Sequence, residues 1–454
     1  MKRESITALM TVFVFAFGFA SFAFADEAKL MSLVDDLQKQ MKQMQKTIDW
    51  QGKKIEELKP AEAVQTPAEV DFHKGLKDTL GSYEWLKGMK WKGDFRLRYE
   101  GLQNTSGNPT ESNDQNRFRY RLRYGFEKDF GDETKVGVRL ASGAGTDITS
   151  TNQSFDSNFS GKEINIDQAW AEYTPGWMAW GPIKEVKFVA GKFENPMAKR
   201  STFLMWDGDV NPEGAYEQIK VKALKADNLD VDFSAVLGQW ILEEGSGSNH
   251  DDAELYLYSG GLHFQPYVRG VEDLQFNTFF NLYNYSDYSL PGNWSRAQNN
   301  LTMPVSQGGP TYLATAFNVW ETYNELAFQI DPLPKAKLWF QYAHNMSEGA
   351  PDDRAPGQND LWGFGAGIGK AAKKGTWELG YAYGNVEVHS VPGNFVDSDF
   401  GSADTRGSMI KGGYALTDNL ALNAAAFFTN AISAENQRID QDRRLFQLDL
   451  VWKF

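Results

Sequence analysis

Six arginines recur at alternating positions along two stretches of the chain, with apolar or aromatic residues between most of them. Because successive side chains of a β-strand point to opposite faces, the arginines share one face of each strand and the apolar residues the other. A row of guanidinium groups on a wall that faces water attracts anions and orients dipolar solutes. This arginine ladder comprises Arg96, Arg98, Arg117, Arg119, Arg121 and Arg123.

Carboxylates occur on the same predicted strand face as the ladder. Asp94 and Glu100 flank Arg96 and Arg98 at the same alternating spacing. The sequence therefore leaves two interpretations open. The ladder is either free to set ion selectivity, or paired with acidic neighbours or a folded-in loop. Under both interpretations, Asp94 and Glu100 join the six arginines as candidate pore-lining residues.

The same alternation recurs over most of the chain after residue 90. Ten-residue alternating segments separated by turns are typical of transmembrane β-barrels. A soluble sandwich with one wet face also alternates, but the apolar face here is rich in Trp, Tyr and Phe, as expected at membrane interfaces. We predict an all-β fold, a transmembrane antiparallel β-barrel of about sixteen strands. The strands are predicted near 91–100, 117–126, 134–141, 163–173, 184–192, 214–223, 229–241, 253–264, 273–285, 317–329, 335–345, 360–370, 375–389, 406–416, 419–431 and 443–454.

The connections alternate between short turns and long polar segments, as such barrels require. Short turns are predicted at 130–132, 331–334 and 417–419. Long connections, typical of extracellular loops, are predicted at 101–115, 143–162, 242–252, 286–316, 346–359 and 390–405. The high aromatic fraction is then explained by an apolar band on the outside of the barrel, because a wet lumen requires no apolar core.

Residues 194–213 are one candidate for an inward-folded loop that narrows the lumen, and 143–162 are another. Asp207, Asp209 and Glu213 are the candidate constriction residues. Their alternation resembles a calcium loop, but Pro212 occupies the position that requires glycine. A loop hydrogen-bonded to the barrel arginines is favoured over a calcium site, and no other cofactor or metal is predicted.

Two further features concern the wall of the barrel. Gly363, Gly365, Gly367 and Gly369 alternate on one strand face, which would allow a loop or a neighbouring subunit to approach closely. The final predicted strand ends in Phe454, and an aromatic terminus on an amphipathic strand resembles the signal that the barrel-insertion machinery reads in outer-membrane proteins.

The N-terminal part has a different organisation. Residues 1–25 have the charged start, apolar stretch and small-residue cleavage site of a secretory signal peptide. Residues 30–58 carry a heptad with an unbroken +4/+3 spacing, in which Gln51 is the one polar member, and this predicts a periplasmic coiled coil over 26–60. Its alternative is a single amphipathic helix packed on the protein's own surface. Residues 61–88 are predicted to be a linker, and 89–454 the barrel.

The composition excludes several classes of protein. The chain of 454 residues has no cysteine, so disulfide frameworks and thiolate chemistry are excluded. A net charge of −14 argues against a nucleic-acid partner, which needs a basic face. The five histidines lack metal-ligand spacing, and no nucleophile-elbow or phosphate-loop motif is present. We therefore predict that the protein is not an enzyme.

Several motifs resemble the putative porin family of Gram-negative outer membranes, and more weakly the phosphate-selective porins. They are the segments 94–98, 117–123, 148–153, 167–170, 191–196 and 206–214. The resemblance covers roughly residues 90–454. It implies a homotrimer in outer-membrane lipid with one pore per subunit, whereas the predicted coiled-coil seam by itself leans toward two strands.

The predicted function is a water-filled outer-membrane channel for passive diffusion of small hydrophilic solutes, with mild anion preference set by the ladder. The alternative is a structural tether, in which the barrel anchors a periplasmic coiled coil to the envelope. The third hypothesis, an outer-membrane hydrolase, has no motif in its favour.

Overall fold

The computed structural model describes residues 88–105, 114–244, 253–286, 300, 302–304, 311–313, 315–347, 355–432 and 442–454. The predicted signal peptide and coiled coil lie outside the described residues, as does the predicted linker apart from residue 88. Within these ranges, no helix is both long enough and apolar enough to cross a membrane.

Sixteen long strands of the described chain belong to one antiparallel sheet. They are β1 (Met89–Thr105), β2 (Gln115–Asp129), β3 (Thr134–Ser142), β4 (Ile164–Tyr173), β5 (Ile183–Lys192), β6 (Glu213–Ala226), β7 (Leu229–Glu243), β8 (Ala253–Pro266), β9 (Glu272–Ser286), β10 (Asn318–Gln329), β11 (Ala336–Asn345), β12 (Asp360–Gly369), β13 (Trp377–Val386), β14 (Thr405–Ala415), β15 (Leu420–Ala431) and β16 (Asp442–Lys453). Each pairs with the next in the chain. Three short strands, Gln153–Ser154, Thr302–Pro304 and Thr311–Leu313, lie in the connections.

The sheet closes on itself between its first and last strands. β16 pairs with β1 in a register that runs from Asp94↔Lys453 to Thr105↔Asp442. Closure satisfies the backbone groups that an edge strand would leave unpaired. The prediction of an antiparallel barrel of about sixteen strands is confirmed, and each of the sixteen predicted segments overlaps one observed strand.

The connections alternate in length, as predicted. Short ones such as 130–133, 227–228 and 416–419 lie at one end of the barrel, together with the start of β1 and the end of β16. Longer ones such as 193–212 and 387–404 join strands at the opposite end. We refer to these as the short-turn end and the long-loop end.

The two faces of the wall differ as the alternation predicts. On β2, Phe118, Leu122 and Tyr124 are exposed on the outer surface, whereas the arginines between them contact residues inside the barrel. Aromatic pairs also cross neighbouring strands on the outside, such as Phe95 with Trp452, whose ring centroids lie 5.8 Å apart. This outer band has the composition expected of a lipid-facing surface.

Part of the lumen is filled by an apolar cluster, so the prediction that the aromatic residues form only an outer band is wrong. Two connections fold into the barrel and bury Leu204, Trp206, Phe395 and Phe400 against the wall. A loop that enters the lumen must remove its own apolar side chains from water. The inward wall residues that meet it include Val236, Trp240, Leu257, Tyr283, Val319, Leu361 and Phe427.

Glycines on the wall make room for one of these loops. A methyl group at Gly363 or at Gly384 would overlap the side chain of Leu204. The absence of a side chain at Gly363 on β12 and at Gly384 on β13 therefore lets Leu204 of the loop pack directly against the backbone of the wall. At Gly363 this confirms the close approach of a loop, whereas a methyl group at Gly365 would meet Trp339 on the neighbouring strand.

Candidate functional site

The arginine ladder lies inside the barrel and is largely neutralised by carboxylates. Arg98 donates two hydrogen bonds of 2.8 Å to Asp449 on β16, and a third of 3.3 Å to Asp399 in the connection 387–404. Asp449 stands directly opposite Arg98 in the β1–β16 register. Charge-assisted bonds of this bidentate kind fix both side chains.

Neighbouring ladder residues are paired in the same way. Arg121 donates to Asp94 at 2.9 and 2.6 Å, and Arg117 donates to Glu100 at 2.6 Å. Glu100 is only 2 % exposed, so its charge is held in place by the cations around it. Of the two interpretations that the sequence left open, the structure shows the paired one.

The connection 143–163 covers the ladder from the lumen. Arg96 donates to the Oδ1 atom of Asn152 at 2.5 Å, and Arg123 donates to the Oγ1 atom of Thr151 at 3.0 Å. The short strand Gln153–Ser154 pairs with β2 beside Arg119, and this pairing anchors the connection to the wall. Both loops predicted to fold inward therefore do so.

Asp209 joins the connection 193–212 to the ladder. Its carboxylate accepts a hydrogen bond from Arg123, lies 4.0 Å from the Nη1 atom of Arg121, and accepts another bond of 3.2 Å from the backbone of Thr151. Burial alone would raise the pKa of Asp209, but the guanidinium groups of Arg123 and Arg121 outweigh it and lower this pKa to about 2. Asp209 is therefore a carboxylate at every physiological pH.

Asp207 lies where the connections 193–212 and 387–404 meet. Its backbone N–H donates to the carbonyl of Phe395 at 2.6 Å, and the backbone N–H of Asp397 donates to the carbonyl of Phe203 at 3.0 Å. We call this pair of contacts the loop seam. Burial, and secondarily the neighbouring carboxylates Asp397 and Asp209, raise the pKa of Asp207 well above its usual value. Burial and Asp399 likewise raise the pKa of Asp397 to about 7.

The residues whose alternation resembles a calcium loop do not all point to one site. Asn211 donates to Asp167, and Glu213 lies at the start of β6, where it is exposed and pairs with Lys192 at 2.8 Å. Across the described ranges, no group of three His, Cys, Asp or Glu residues could hold a metal ion. The side chain of Glu213 is thus separate from those of Asp207 and Asp209.

Phe454 extends the pairing between the first and the last strand of the barrel. Its backbone exchanges two hydrogen bonds with Gly93, at 2.9 and 3.1 Å, and its exposed ring lies 6.2 Å from that of Tyr124. The role of this residue in membrane insertion stays a prediction.

Sequence reasoning did not identify the carboxylate that anchors the connection 193–212 to the opposite wall. Glu321 on β10 is fully buried and accepts four hydrogen bonds, at distances of 2.6 to 2.9 Å. The donors are Ser201 from the loop, and Asn281, Tyr283 and Gln341 from the wall. The alternation on β10 places Glu321 on the inward face, but the sequence gives no sign of its partners.

The inward folding of residues 387–404 was also missed, because this segment is predicted to be an extracellular loop. Val388, Val391, Phe395, Val396 and Phe400 are all buried there. Such a density of apolar residues is unusual for a solvated loop, so the sequence itself contains an indication that this segment is buried. The side chain of Asn300 binds the segment as well, donating to the carbonyls of Val388 and Val391 at 2.6 and 2.9 Å.

A large cavity opens on the short-turn side of the loop 193–212. We call it the vestibule; its volume is about 1710 Å³. Its roof is formed by residues 193–203, and its sides are formed by inward residues of the wall from β2 to β14. A second cavity of about 330 Å³ lies beside the ladder, and both are lined by Glu127, Gln168, Trp170 and Glu194. The lumen thus has a wide compartment next to a narrow, charged one.

A closed barrel with an apolar exterior, a charged interior and inward-folded loops defines the class of porin-type channel proteins. The chain belongs to one family of that class. The sequence profile of the family described as "Putative porin" matches residues 103–307 and 325–454. The expected family membership is therefore confirmed. A search of curated proteins finds no match to the chain.

Solved porin structures match the chain at low sequence identity. OprB of Pseudomonas putida, in its high-pH structure, matches with 12 % identity and a TM-score of 0.47, over 83 % of this chain and 97 % of that one. OmpF of Salmonella typhi, in complex with daunomycin, matches with 10 % identity and a TM-score of 0.42, over 81 % and 98 %. A triple mutant of Rhodopseudomonas blastica porin matches with 9 % identity and a TM-score of 0.37, over 81 % and 100 %.

Proposed function

We propose that the protein is an outer-membrane channel through which small hydrophilic solutes diffuse passively. The observation that carries this proposal is the closed sixteen-stranded barrel with a charged, loop-narrowed lumen. The wide vestibule admits solutes, and the narrowing of the lumen by the inward-folded loops limits their size. In such a channel the wall supplies the hydrogen bonds that a solute loses when it sheds water.

The channel function is tested by reconstituting the purified, refolded protein into planar bilayers. Stepwise conductance increments that scale with bulk salt are expected, together with a size cutoff in liposome-swelling assays with neutral sugars. A refolded barrel that inserts without conductance steps would contradict the proposal.

We further propose a mild preference for anions. Carboxylates match most arginines of the ladder, so the observation that favours this preference is the excess of Lys and Arg over Asp and Glu along the vestibule. The preference is tested by measuring the reversal potential of the reconstituted channel in a salt gradient. A clear cation preference would contradict the proposal, and an unchanged reversal potential in the Arg119→Ala/Arg121→Ala variant would assign the ladder a structural role.

The proposed assembly is a homotrimer in outer-membrane lipid with the coiled coil in the periplasm. Cross-linking and the native mass of the detergent-solubilised protein test the trimer, and a monomeric mass would exclude it. Partition of the expressed protein into the outer-membrane fraction tests the location, with recovery in the soluble fraction as the contrary result.

The heptad spacing within 26–60 favours a second candidate function, the structural tether. Deletion of residues 26–60 distinguishes the two functions. A channel keeps its conductance after this deletion, whereas a tether loses its attachment to the envelope. The readouts are planar-bilayer conductance and retention of the protein by isolated peptidoglycan sacculi.

A further inference from the structure

The vestibule contains the positive charge that the paired ladder lacks. Nine lysine and arginine residues line it, against six aspartate and glutamate residues. Some of these charges cancel in pairs: Lys187 lies 3.6 Å from Glu172, and Lys337 lies 3.4 Å from Glu325. The remaining excess is positive and lies in an enclosed space, where low-dielectric walls concentrate the field.

Four lysines of the vestibule have no carboxylate partner among the described residues. They are Lys184 on β5, Lys199 in the roof, Lys370 after β12 and Lys411 on β14. All four are exposed to the cavity or to solvent. Among the acidic lining residues, Glu194 and Glu378 also have no cationic partner there, so they offset only part of this charge.

A fifth unpaired cation of the vestibule, Arg200, lies in the roof and is buried without a counter-ion among the described residues. Arg200 is 4 % exposed and donates to Ser234 Oγ at 2.7 Å and to Ser259 Oγ at 3.0 Å. Both acceptors are neutral hydroxyl groups, and no described carboxylate lies within ion-pair distance of Arg200. Its guanidinium group also stacks 5.2 Å from the ring centroid of Phe279.

The environment of Arg200 has an energetic consequence. A buried charge without a paired ion is costly, so a ligand that supplies the opposite charge gains affinity there. Burial lowers the pKa of Arg200 to about 10, which still leaves it cationic near neutral pH. Ser234 also bonds to His263 at 2.9 Å, and His263 bonds to Asn277 at 2.9 Å, which extends the polar wall beside the guanidinium group.

We infer that the vestibule is a binding site for small oxyanions, carboxylates or phosphates, held by Arg200 and the unpaired lysines. The inference rests on the proposed channel function and names its preferred solute class. It also assigns anion recognition to the compartment at the short-turn end rather than to the arginine ladder. An oxyanion offers several acceptors at once, which suits a cavity lined by one guanidinium group and several flexible ammonium groups.

The test compares two double variants of the full, refolded chain. Lys370→Gln/Lys411→Gln removes two unpaired vestibule charges. Lys373→Gln/Lys374→Gln removes two exposed charges from the neighbouring turn, which does not line the cavity. Lys199→Gln is an independent single variant in the roof. These lysines form no described ion pairs, so we expect their replacement to preserve the fold.

Binding is measured by calorimetric titration with inorganic phosphate, with succinate as the carboxylate probe and glucose as the neutral control. The half-saturating phosphate concentration should rise roughly three- to tenfold in the vestibule pair and stay unchanged in the turn pair. Binding of both anions supports a general oxyanion site, and binding of phosphate alone narrows it to phosphates.

Absence of anion binding in the natural sequence, or equal weakening in both pairs, would overturn the inference even if the protein conducts ions. Phosphate block of the single-channel current provides the second readout. A protein that binds phosphate but shows no conductance would contradict the proposed channel function while supporting the binding site. The two proposals can therefore fail separately.

Discussion

The Oγ atom of Ser201 donates a 2.6 Å hydrogen bond to Glu321, and this contact joins the inward-folded loop to the far wall of the barrel. Glu321 has no cation to neutralise it in this contact. Its charge is instead spread over four hydrogen bonds, which makes the position of the loop depend on one carboxylate.

Replacement of Glu321 by alanine should release the loop and widen the lumen. Hydrogen bonds to a charged group contribute about 1.5–3 kcal/mol each, and alanine leaves several buried donors without an acceptor. We expect a loss of about 3 kcal/mol or more in the free energy of unfolding and a larger single-channel conductance. Urea unfolding and bilayer recordings measure the two effects.

The matched control for this variant is Glu321→Gln, which keeps the shape and one acceptor oxygen. It should retain most of the conductance of the natural sequence. If Glu321→Ala lost stability while its conductance and exclusion limit stayed unchanged, Glu321 would not set the width of the lumen.

Removal of an acidic partner should expose the charge of the ladder. Asp209 neutralises Arg123 and lies near Arg121, so Asp209→Asn leaves these cations partly uncompensated. We expect the reversal potential in a salt gradient to shift toward anion selectivity. Glu213→Gln is the control, because Glu213 pairs with Lys192 away from the ladder. Equal shifts in both variants would show that the effect is not local.

The barrel itself could be predicted from the sequence because its cause is local. Alternation along each strand determines which side chains face lipid and which face the lumen, and that pattern is readable from residues such as those of β2 and β16. The strand ends could be located because turn residues such as Gly131 and Asp418 interrupt the pattern. Closure then follows from the need to pair every edge.

The architecture of the lumen could be predicted only in part, because it depends on contacts between distant segments. Asp94 and Arg121 lie in adjacent strands, so alternation already suggests their pairing. The bonds from Arg98 to Asp399 and from Ser201 to Glu321 join segments that are 301 and 120 residues apart. Strand alternation carries no information on such partners. Only the fold of the loops determines them.

The packing of Leu204 against wall glycines predicts a steric test of the loop position. Gly384→Ala places a methyl group against Leu204 and the ring of Phe400. Overpacking of this kind costs about 1–3 kcal/mol. Gly260→Ala is the control, because a methyl group there would meet only ordinary van der Waals contact with Phe233. Thermal unfolding measures both variants.

A double variant completes this test. If the cost of Gly384→Ala arises from Leu204, the additional change Leu204→Ala should make the glycine substitution nearly neutral. Strict additivity of the two effects would instead show that Leu204 and Gly384 do not interact.

The loop seam should respond to pH through Asp397. Its pKa of about 7 in the folded protein exceeds the usual value for aspartate, so the folded state holds a proton that the unfolded state releases. The stability from this proton is fully present below about pH 4 and is lost as the pH rises through about 7. Above that pH, Asp397 becomes charged beside Asp399 and Asp207, with Arg443 as the opposing cation.

We therefore expect amide hydrogen exchange in residues 203–207 and 395–399 to accelerate, after correction for intrinsic rates, between about pH 5 and about pH 8. Asp397→Asn should reduce this dependence, because an amide does not ionise, and any remainder belongs to Asp207, whose pKa burial also raises. Asp209 cannot cause the change, because the stability that its lowered pKa contributes is lost only as the pH falls below about 4. Exchange that is constant over this range in the natural sequence would show that repulsion between these carboxylates does not control the seam.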